Sequence, residues 1–289
     1  MSDKLFSAGT LLPATIEEAS SLIMQGFFPV GGGTDIMVRN HAMKKTGGRV
    51  KSPLFSCRRI EETTGIHTNG NILSIGSSCT LSSIIESSLC PAILAESLLS
   101  IASPGIRNIA TLAGNICNAS PAADSLPVLY ILDAMIETAG SSGRRSIPVK
   151  EFITAPGTTS LKDDEIVVSV SFDSSICHDD AFRWYFRKVG TRAANALSKL
   201  SIAACTLVDN GIYSNFRLAV GACAPAVVRL SEAEDEINGK ALDKGSELAE
   251  RVIPVYTKAL NPIDDQRSTS DYRRNTALKL IANLLSEGF

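Results

Sequence analysis

Two glycine-containing stretches of this 289-residue chain carry residue types that could bind a phosphate-containing ligand. The first reads VGGGTD at positions 30–35 and follows a short apolar run, FFPV, that predicts a strand at 27–30. Three successive glycines cost conformational entropy and bury no side chain. They form either a tight turn or a nest of backbone N–H groups that binds an anion. The glycines alone leave both interpretations open, because such short motifs also occur by chance.

The second stretch lies at 109–134 and reads IATLAGNICNASPAADSLPVLYILDA. Its first half is apolar except for a set of short hydroxyl, amide and carboxylate side chains, Thr111, Asn115, Asn118, Ser120 and Asp124. Any one of them fits a polar loop that satisfies its own backbone. Interleaved with Gly114 and Ala119, the set suits a backbone that closely approaches phosphate and sugar oxygens, with Asp124 accepting hydrogen bonds from hydroxyl groups. We therefore expect both stretches to close on the phosphates of a bound dinucleotide.

Strand and helix patterns that would position these stretches alternate along the first part of the chain. In chain order they are a helix capped by the sequence TIEE at 15–18, a strand at 71–76, helices after Thr80 and Pro91, and a strand at 165–172. This alternation predicts a layered domain of the α/β or α+β class. A basic, aperiodic segment at 41–51 predicts an exposed loop whose charges are solvated.

A polar, turn-rich segment at 173–180 predicts a domain boundary near residue 176. After it, the aromatic and basic run at 183–192 fits either the solvent-facing side of a strand or a surface that meets a partner or an anionic cofactor. The Asp-Asn-Gly turn at 209–211 predicts a hairpin, and a second capping sequence, SEAE at 231–234, predicts a short helix. The last helix has apolar residues at helical spacing, Ala277, Leu280, Ile281, Leu284 and Leu285. These elements predict a second, smaller α/β domain.

The composition argues against several classes of protein. With 44% hydrophobic and 20% charged residues the chain has an ordinary globular composition, and its net charge of −2 provides no basic field for nucleic acid. The first residues lack the pattern of a signal peptide, and no apolar run reaches the ~18 residues of a membrane span. The seven cysteines include no C-x-x-C pair, which predicts a cytoplasmic protein with no metal site. The three histidines have no spacing typical of metal ligands or a catalytic triad, so no catalytic acid–base residue is expected.

Five motifs together resemble the FAD-binding subunit of the xanthine dehydrogenase family, whose members are molybdenum-containing hydroxylases. In chain order the motifs are GGGTD at 31–35, TLAGNI at 111–116, ASPAAD at 119–124, FRKVGTR at 186–192 and DYRR at 271–274. They follow the family order and span nearly the whole chain, so the set is far more specific than a lone glycine loop.

The resemblance implies an α+β fold in two domains. The first, at 1–176, would be an FAD-binding domain of the vanillyl-alcohol-oxidase type (PCMH-like), built from two α/β subdomains at about 1–55 and 56–176. The second, at 177–289, would be the smaller α/β flavoprotein C-terminal domain.

The resemblance also implies a role for each candidate site residue. The turn that would hold the pyrophosphate from one side comprises Val30, Gly31, Gly32, Gly33, Thr34 and Asp35. The residues that would approach the pyrophosphate and the ribityl chain from the other side are Thr111, Gly114, Asn115, Asn118 and Ser120, with Asp124 on ribityl or ribose hydroxyls. Near the isoalloxazine ring the candidates are Ile101 on its face, Val167 at its edge, and either Arg187 or Lys188 as a cation.

The flavin subunit of that family works within a larger complex, and the resemblance implies the same here. A large subunit with molybdopterin would oxidise the substrate, a small subunit with two 2Fe–2S clusters would pass the electrons on, and FAD on this chain would deliver them to NAD or another acceptor. The expected assembly is a dimer of heterotrimers. Two alternatives remain. One is a stand-alone FAD-dependent oxidoreductase with the same FAD fold; the other is an FAD-less scaffold subunit, which Ala113 in place of a family glycine keeps open.

Overall fold

The computed structural model describes residues 11–36, 38, 53–192 and 195–289. The loop predicted at 41–51 lies outside the described residues. Within the described part, helices and strands are mixed along the chain, and two larger antiparallel sheets form the framework.

Short helices are interspersed with strands in the first part of the chain, and longer helices follow the second sheet. The helices are α1 (Ile16–Met24), α2 (Leu81–Ile85), α3 (Ala92–Leu99), α4 (Pro104–Arg107), α5 (Leu112–Cys117), α6 (Ser125–Ile131), α7 (Val149–Phe152), α8 (Ser231–Ile237), α9 (Gly245–Ala259) and α10 (Ser270–Glu287). Residues 34–36 are also helical. The strands are β1 (Phe28–Pro29), β2 (Leu54–Phe55), β3 (Ile66–Asn69), β4 (Ile72–Gly76), β5 (Met135–Gly140), β6 (Gly143–Pro148), β7 (Ile153–Ala155), β8 (Thr158–Thr159), β9 (Ile166–Asp173), β10 (Phe182–Val189), β11 (Leu200–Asp209), β12 (Ile212–Gly221) and β13 (Val228–Arg229).

Helix α1 begins at the position that its capping sequence predicts. The Thr15 side chain accepts a hydrogen bond from the Glu18 N–H at 3.2 Å, while the Glu18 carboxylate accepts one from the Ala14 N–H at 2.7 Å. Gly26, at φ +87°, turns the chain out of the helix towards β1, which pairs in parallel with β2. The apolar face of α1 packs against Phe55 of β2 in a small separate core.

The first large sheet has the strand order β3-β4-β9-β5-β6 and is antiparallel throughout. Its central strand β9 is the strand predicted at 165–172. Ile166 and Val168 of β9 lie in the core beneath α1, whereas Val167 belongs to the main core that includes α3, α5 and α6. Both faces of β9 are therefore covered at its start, which explains the three successive apolar residues Ile166, Val167 and Val168.

The second large sheet has the order β10-β11-β12-β13, also antiparallel. The predicted hairpin is confirmed: Asn210 at φ 49° and Gly211 at φ 72° form the left-handed two-residue turn between β11 and β12. Residues 200–206 of β11 are all buried. Ala204 faces the core formed with α8, α9 and α10, and Ala203 faces the main core of the preceding domain. The second sheet is thus packed on both sides.

The DYRR motif anchors the start of α10. Thr269 caps this helix by accepting a hydrogen bond from the Tyr272 N–H at 3.2 Å. The Arg273 side chain is buried, and its guanidinium lies 2.5 Å from the Asp265 carboxylate in the preceding loop. The motif therefore fixes the loop that leads into the helix, and the predicted apolar face of α10 packs in the C-terminal core.

Two sequence expectations about local structure are wrong. The predicted capping box at 231–234 does not form, because α8 has no side-chain cap. Glu234 instead accepts a hydrogen bond from the Leu218 N–H at 3.0 Å and pairs with Arg229 at 2.8 Å, since a buried carboxylate needs such partners. The first part of the stretch at 109–134, which the sequence predicts as a bend, instead contains helix α5, and half of the stretch is helical, in α5 and α6.

The mixed helix and sheet architecture agrees with the expected fold class. The boundary predicted near residue 176 falls in the short 3₁₀ helix Ser175–His178, after the last strand of the first sheet and before the first strand of the second. This boundary and the subdomain division at residue 55 stay predictions. No helix in the described part of the chain is long and apolar enough to cross a membrane.

Candidate functional site

The two glycine-containing stretches meet in the structure. A Cβ atom added to Gly31 would lie 2.5 Å from Thr111 Oγ1. A Cβ atom on Gly32 would overlap the Ile109 carbonyl group and lie 2.7 Å from the Ala110 nitrogen. At Gly32 the two backbones are so close that no side chain fits between them, so this position needs glycine. At Gly31 a side chain would collide with that of Thr111. The juxtaposition expected from the sequence is therefore present.

The backbone of the first stretch offers hydrogen-bond donors. None of the N–H groups of Gly31, Gly32 and Gly33 donates a hydrogen bond to another described residue. Gly33 has a left-handed conformation at φ +68°, and the chain becomes helical directly after it, at residues 34–36. Successive free N–H groups at such a turn form an anion-binding concavity. These residues fit the phosphate part of a dinucleotide.

The second stretch contributes short polar side chains next to the first. Thr111 caps α5 by accepting a hydrogen bond from the Gly114 N–H at 3.0 Å, and Gly114 itself is exposed. Asn115 accepts a hydrogen bond from the Ser125 hydroxyl at 2.6 Å, which fixes α5 against α6. Asn118 ends α5, and Ser120 accepts a hydrogen bond from a backbone N–H two residues later at 3.3 Å. The helices thus hold this set rigidly at one end of the site.

Asp124 and Lys188 form an internal ion pair. Lys188 Nζ lies 2.7 Å from Asp124 Oδ2, and the Ser198 hydroxyl donates a hydrogen bond to the other carboxylate oxygen. Burial raises the pKa of Asp124, and the Lys188 ammonium opposes this shift. Asp124 is only 5% exposed. The proposed contact of Asp124 with sugar hydroxyls stays a prediction, and the role visible in the structure is to connect α6 with β10.

The candidates for the isoalloxazine region differ in exposure. Val167 is buried in β9, and Ile101 is half-buried and packs against the main core. Arg187 is exposed, whereas Lys188 points inward, because neighbouring side chains of a strand face opposite sides of the sheet. Of the two candidate cations, Lys188 is therefore committed to internal contacts and Arg187 remains open to a ligand or partner.

The role of Arg107 is visible only in the structure. Its guanidinium Nη1 donates to three backbone carbonyl oxygens, those of Leu99 at 3.1 Å, Ile101 at 2.8 Å and Ala102 at 3.3 Å. The contact joins α4 to the end of α3. No residue spacing signals an arginine that binds carbonyl groups, so only the structure reveals it.

Helix α6, which follows the polar stretch, is held at both ends by the second sheet. Lys188 of β10 binds Asp124 at its N-terminal end. At its C-terminal end, Arg217 donates to the Ile131 carbonyl at 2.7 Å and Arg229 donates to the Tyr130 carbonyl at 2.6 Å. Cations at the last carbonyl groups stabilise a helix through its dipole and satisfy groups that have no partner within the helix.

The described residues contain no cluster of histidine, cysteine, aspartate and glutamate that could hold a metal ion. The seven cysteines are free thiols, and burial raises the pKa of Cys117 and of Cys205 to about 12. These thiols are therefore protonated and unreactive at neutral pH. The chemistry supported by the site is ligand binding by backbone and neutral polar groups.

Comparisons with known proteins agree with this geometry. Residues 6–172 match the family described as the FAD binding domain in molybdopterin dehydrogenase, and residues 184–287 match the CO dehydrogenase flavoprotein C-terminal domain. The first match spans more than half of the chain. Residues 6–172, which include both glycine-containing stretches, therefore form an FAD-binding domain.

Relatives with similar sequences and structures cover almost the whole chain. The xanthine dehydrogenase FAD-binding subunit of Escherichia coli O157:H7 is 30% identical over 263 residues, or 89% of this chain and 87% of the relative. The solved carbon monoxide dehydrogenase structure from Hydrogenophaga pseudoflava has a TM-score of 0.83 at 24% identity and covers 95% of this chain and 94% of its own. Quinoline 2-oxidoreductase from Pseudomonas putida 86 has a TM-score of 0.83 at 23% identity, with 98% and 97% coverage. These structures share the fold of this chain, and the sequence matches show that the chain belongs to the FAD-binding subunits of the molybdenum hydroxylase family of oxidoreductases.

Proposed function

We propose that this chain is the electron-transfer subunit of a molybdenum hydroxylase complex. FAD bound between the two glycine-containing stretches accepts electrons from the 2Fe–2S clusters of a small subunit and delivers them to NAD or another acceptor. A large subunit with molybdopterin oxidises the substrate, and the complex is a dimer of heterotrimers in the cytoplasm. The similarity to a xanthine dehydrogenase FAD-binding subunit supports this function.

The observation that carries the proposal is the contact between Gly32 and the backbone at 109–110. It brings the free N–H groups of the first turn next to the hydroxyl and amide groups of the second. Neutral donors of this kind bind a pyrophosphate without needing a basic patch. A net charge of −2 is then no obstacle to binding a phosphate ligand.

Different residues bind different parts of FAD in the proposed complex. The turn at 30–35 holds the pyrophosphate, and the stretch at 111–120 approaches the pyrophosphate and ribityl chain from the other side. Ile101 packs on the face of the ring, and Val167 lines its edge. FAD supplies the redox chemistry, so the protein has only to bind it, orient it and exclude water.

Two alternatives predict different results for the isolated protein. A stand-alone FAD-dependent oxidoreductase would bind FAD and reduce it with a substrate of its own, without partner subunits. A scaffold subunit would assemble with its partners but bind no FAD. The match to the C-terminal domain of CO dehydrogenase flavoproteins favours the multi-subunit complex over the first alternative.

The decisive measurement is the visible absorption spectrum of the purified full chain, with the flavin identified by chromatography after denaturation. We expect FAD at about one equivalent per chain. If no flavin binds even after incubation with free FAD, the chain is the scaffold alternative and the electron-transfer function is wrong.

Electron transfer is tested in the complex isolated through an affinity tag on this chain. Adding the substrate of the large subunit should bleach the flavin absorption, and adding NAD should restore it. A flavin that stays oxidised in an active complex would contradict the proposed electron path. A complex that lacks both partner subunits would favour the stand-alone alternative.

A further inference from the structure

Four successive carbonyl oxygens at the end of α3 are held by two cations. Arg107 binds the carbonyl groups of Leu99, Ile101 and Ala102, and Lys188 Nζ binds that of Ser100 at 2.8 Å. Leu99 is the last residue of α3, and Ser100, Ile101 and Ala102 follow it outside the helix. Carbonyl groups at and just beyond a helix end have no partner within the helix. Here the side chains of two other elements bind them.

The two cations reach this segment from different directions. Arg107 lies on α4, a few residues before the backbone at 109–110 that contacts Gly32. Lys188 lies on β10 and is paired with Asp124 at the start of α6. The segment at 99–102 is therefore connected both to the phosphate side of the site and to the second sheet.

The conformation of this segment requires such support. Ala102 has a left-handed φ of 49°, which costs a residue with a side chain about 1–2 kcal/mol. The same part of the chain exposes apolar side chains, since Leu99 is 48%, Ile106 39% and Ile109 50% exposed. Exposed apolar residues beside a phosphate-type site suit a ligand that carries a flat aromatic ring.

We propose that Arg107 and Lys188 are positioning residues that fix Ile101 against the flavin ring by holding the carbonyl groups at 99–102. This inference rests on the proposed function, in which FAD binds here with its ring at Ile101. Arg107 has the larger share, because it binds three of the four carbonyl groups.

The test compares Arg107→Met with Arg183→Met in the full chain. Arg183 is a matched control because its guanidinium also donates to backbone carbonyl groups, those of Asp180 and Phe182, each at 2.9 Å, but on the exposed side of β10. The measurements are the affinity for FAD, the fluorescence of the bound flavin and the thermal unfolding of each variant. We expect Arg107→Met to weaken FAD binding roughly tenfold and to raise flavin fluorescence. Arg183→Met should match the wild type in both.

A double-mutant cycle with Ile101→Ala separates positioning from a general loss of stability. If Arg107 acts through Ile101, then Arg107→Met should add little to the change in flavin fluorescence already caused by Ile101→Ala. Fully additive effects on FAD affinity and fluorescence would overturn the proposal. Arg107→Lys, which keeps the charge and three donors, should restore most of the wild-type fluorescence. If Arg107→Met does not fold, Arg107→Gln, which removes the charge and keeps one amide group, replaces it and should also weaken FAD binding and raise flavin fluorescence.

The results distinguish this inference from the proposed function. If the wild type binds no FAD, the proposed function fails and the inference fails with it. If the wild type binds FAD and Arg107→Met, or Arg107→Gln in its place, binds it with unchanged affinity and fluorescence, only the positioning role is wrong.

Discussion

Replacing Gly33 with aspartate or asparagine tests whether the first turn faces a phosphate. Gly33 is suitable because a Cβ atom there would meet only Val30 Cγ2, at an ordinary distance of 3.5 Å. Its φ of +68° is one that asparagine and aspartate adopt more readily than other residues with side chains. Gly32 is unsuitable, since any side chain would overlap the Ile109 carbonyl group and disrupt the packing whether or not FAD binds.

The two variants have nearly the same size and backbone strain, and they differ in charge. The left-handed conformation at residue 33 should cost both of them about 1 kcal/mol of stability. Only the carboxylate of Gly33→Asp repels the pyrophosphate. Two unit charges about 4 Å apart interact with about 4 kcal/mol at an effective dielectric constant of 20. Allowing for solvent screening, about 3 kcal/mol remains, so Gly33→Asp should bind FAD more than about a hundredfold more weakly than Gly33→Asn.

The assay is a titration of the flavin-free protein with FAD, followed by the change in flavin fluorescence, at low and high salt. The difference between the two variants should shrink as salt screens the repulsion. Unfolding by denaturant serves as the control and should give equal stabilities for Gly33→Asp and Gly33→Asn. Equal FAD affinities for the two folded variants would refute the placement of a phosphate at this turn.

Three further predictions concern stability. Lys188→Met should cost about 3–5 kcal/mol of unfolding free energy by leaving Asp124 buried without its partner. Because burial raises the pKa of Asp124 in the folded state, acid should protonate it and restore part of this loss, so denaturation should be followed against pH. Asp265→Asn should lower stability at neutral pH by about 2 kcal/mol. Burial opposes ionisation of Asp265, but the hydrogen bond from Arg273 and other donors lower its pKa overall. The stabilities of wild type and variant should therefore converge as the pH falls below about 4, which thermal unfolding at several pH values measures. Gly211→Ala should destabilise the β11–β12 hairpin by about 1 kcal/mol through strain at φ +72°, and it should leave FAD content, measured by absorption, unchanged.

Local signals predicted many of the elements. Thr15 and Thr80 cap helices as expected, because a cap depends on residues only a few positions apart. The turn at Asn210 and Gly211 was equally clear, since few residues tolerate its conformation. Where a distant partner competes, local signals fail: Glu234 has the spacing of a capping box but binds Arg229 and the β12 backbone instead.

The meeting of the two glycine-containing stretches was predictable from the sequence, but the internal contacts around them were not. Both stretches were expected to close on one ligand, and the structure shows Gly32 against the backbone at 109–110 and Gly31 against the Thr111 side chain. The ion pair of Asp124 with Lys188 joins residues that are far apart in the chain, and a single sequence contains no record of such pairs. The contacts of Arg107 could not be predicted for a related reason, since its partners are backbone carbonyl groups that every residue possesses.

The attachment of α6 at both ends has a consequence for the order of events during synthesis. Its N-terminal end needs Lys188, and its C-terminal carbonyl groups need Arg217 and Arg229, all of which emerge from the ribosome after the FAD-binding region is complete. Until then, Asp124 has no counter-ion and the apolar surface that later meets β11 stays exposed. We therefore expect the site in the FAD-binding region to become rigid only after the second sheet has folded. The cofactor should then bind only after the whole chain has been synthesised.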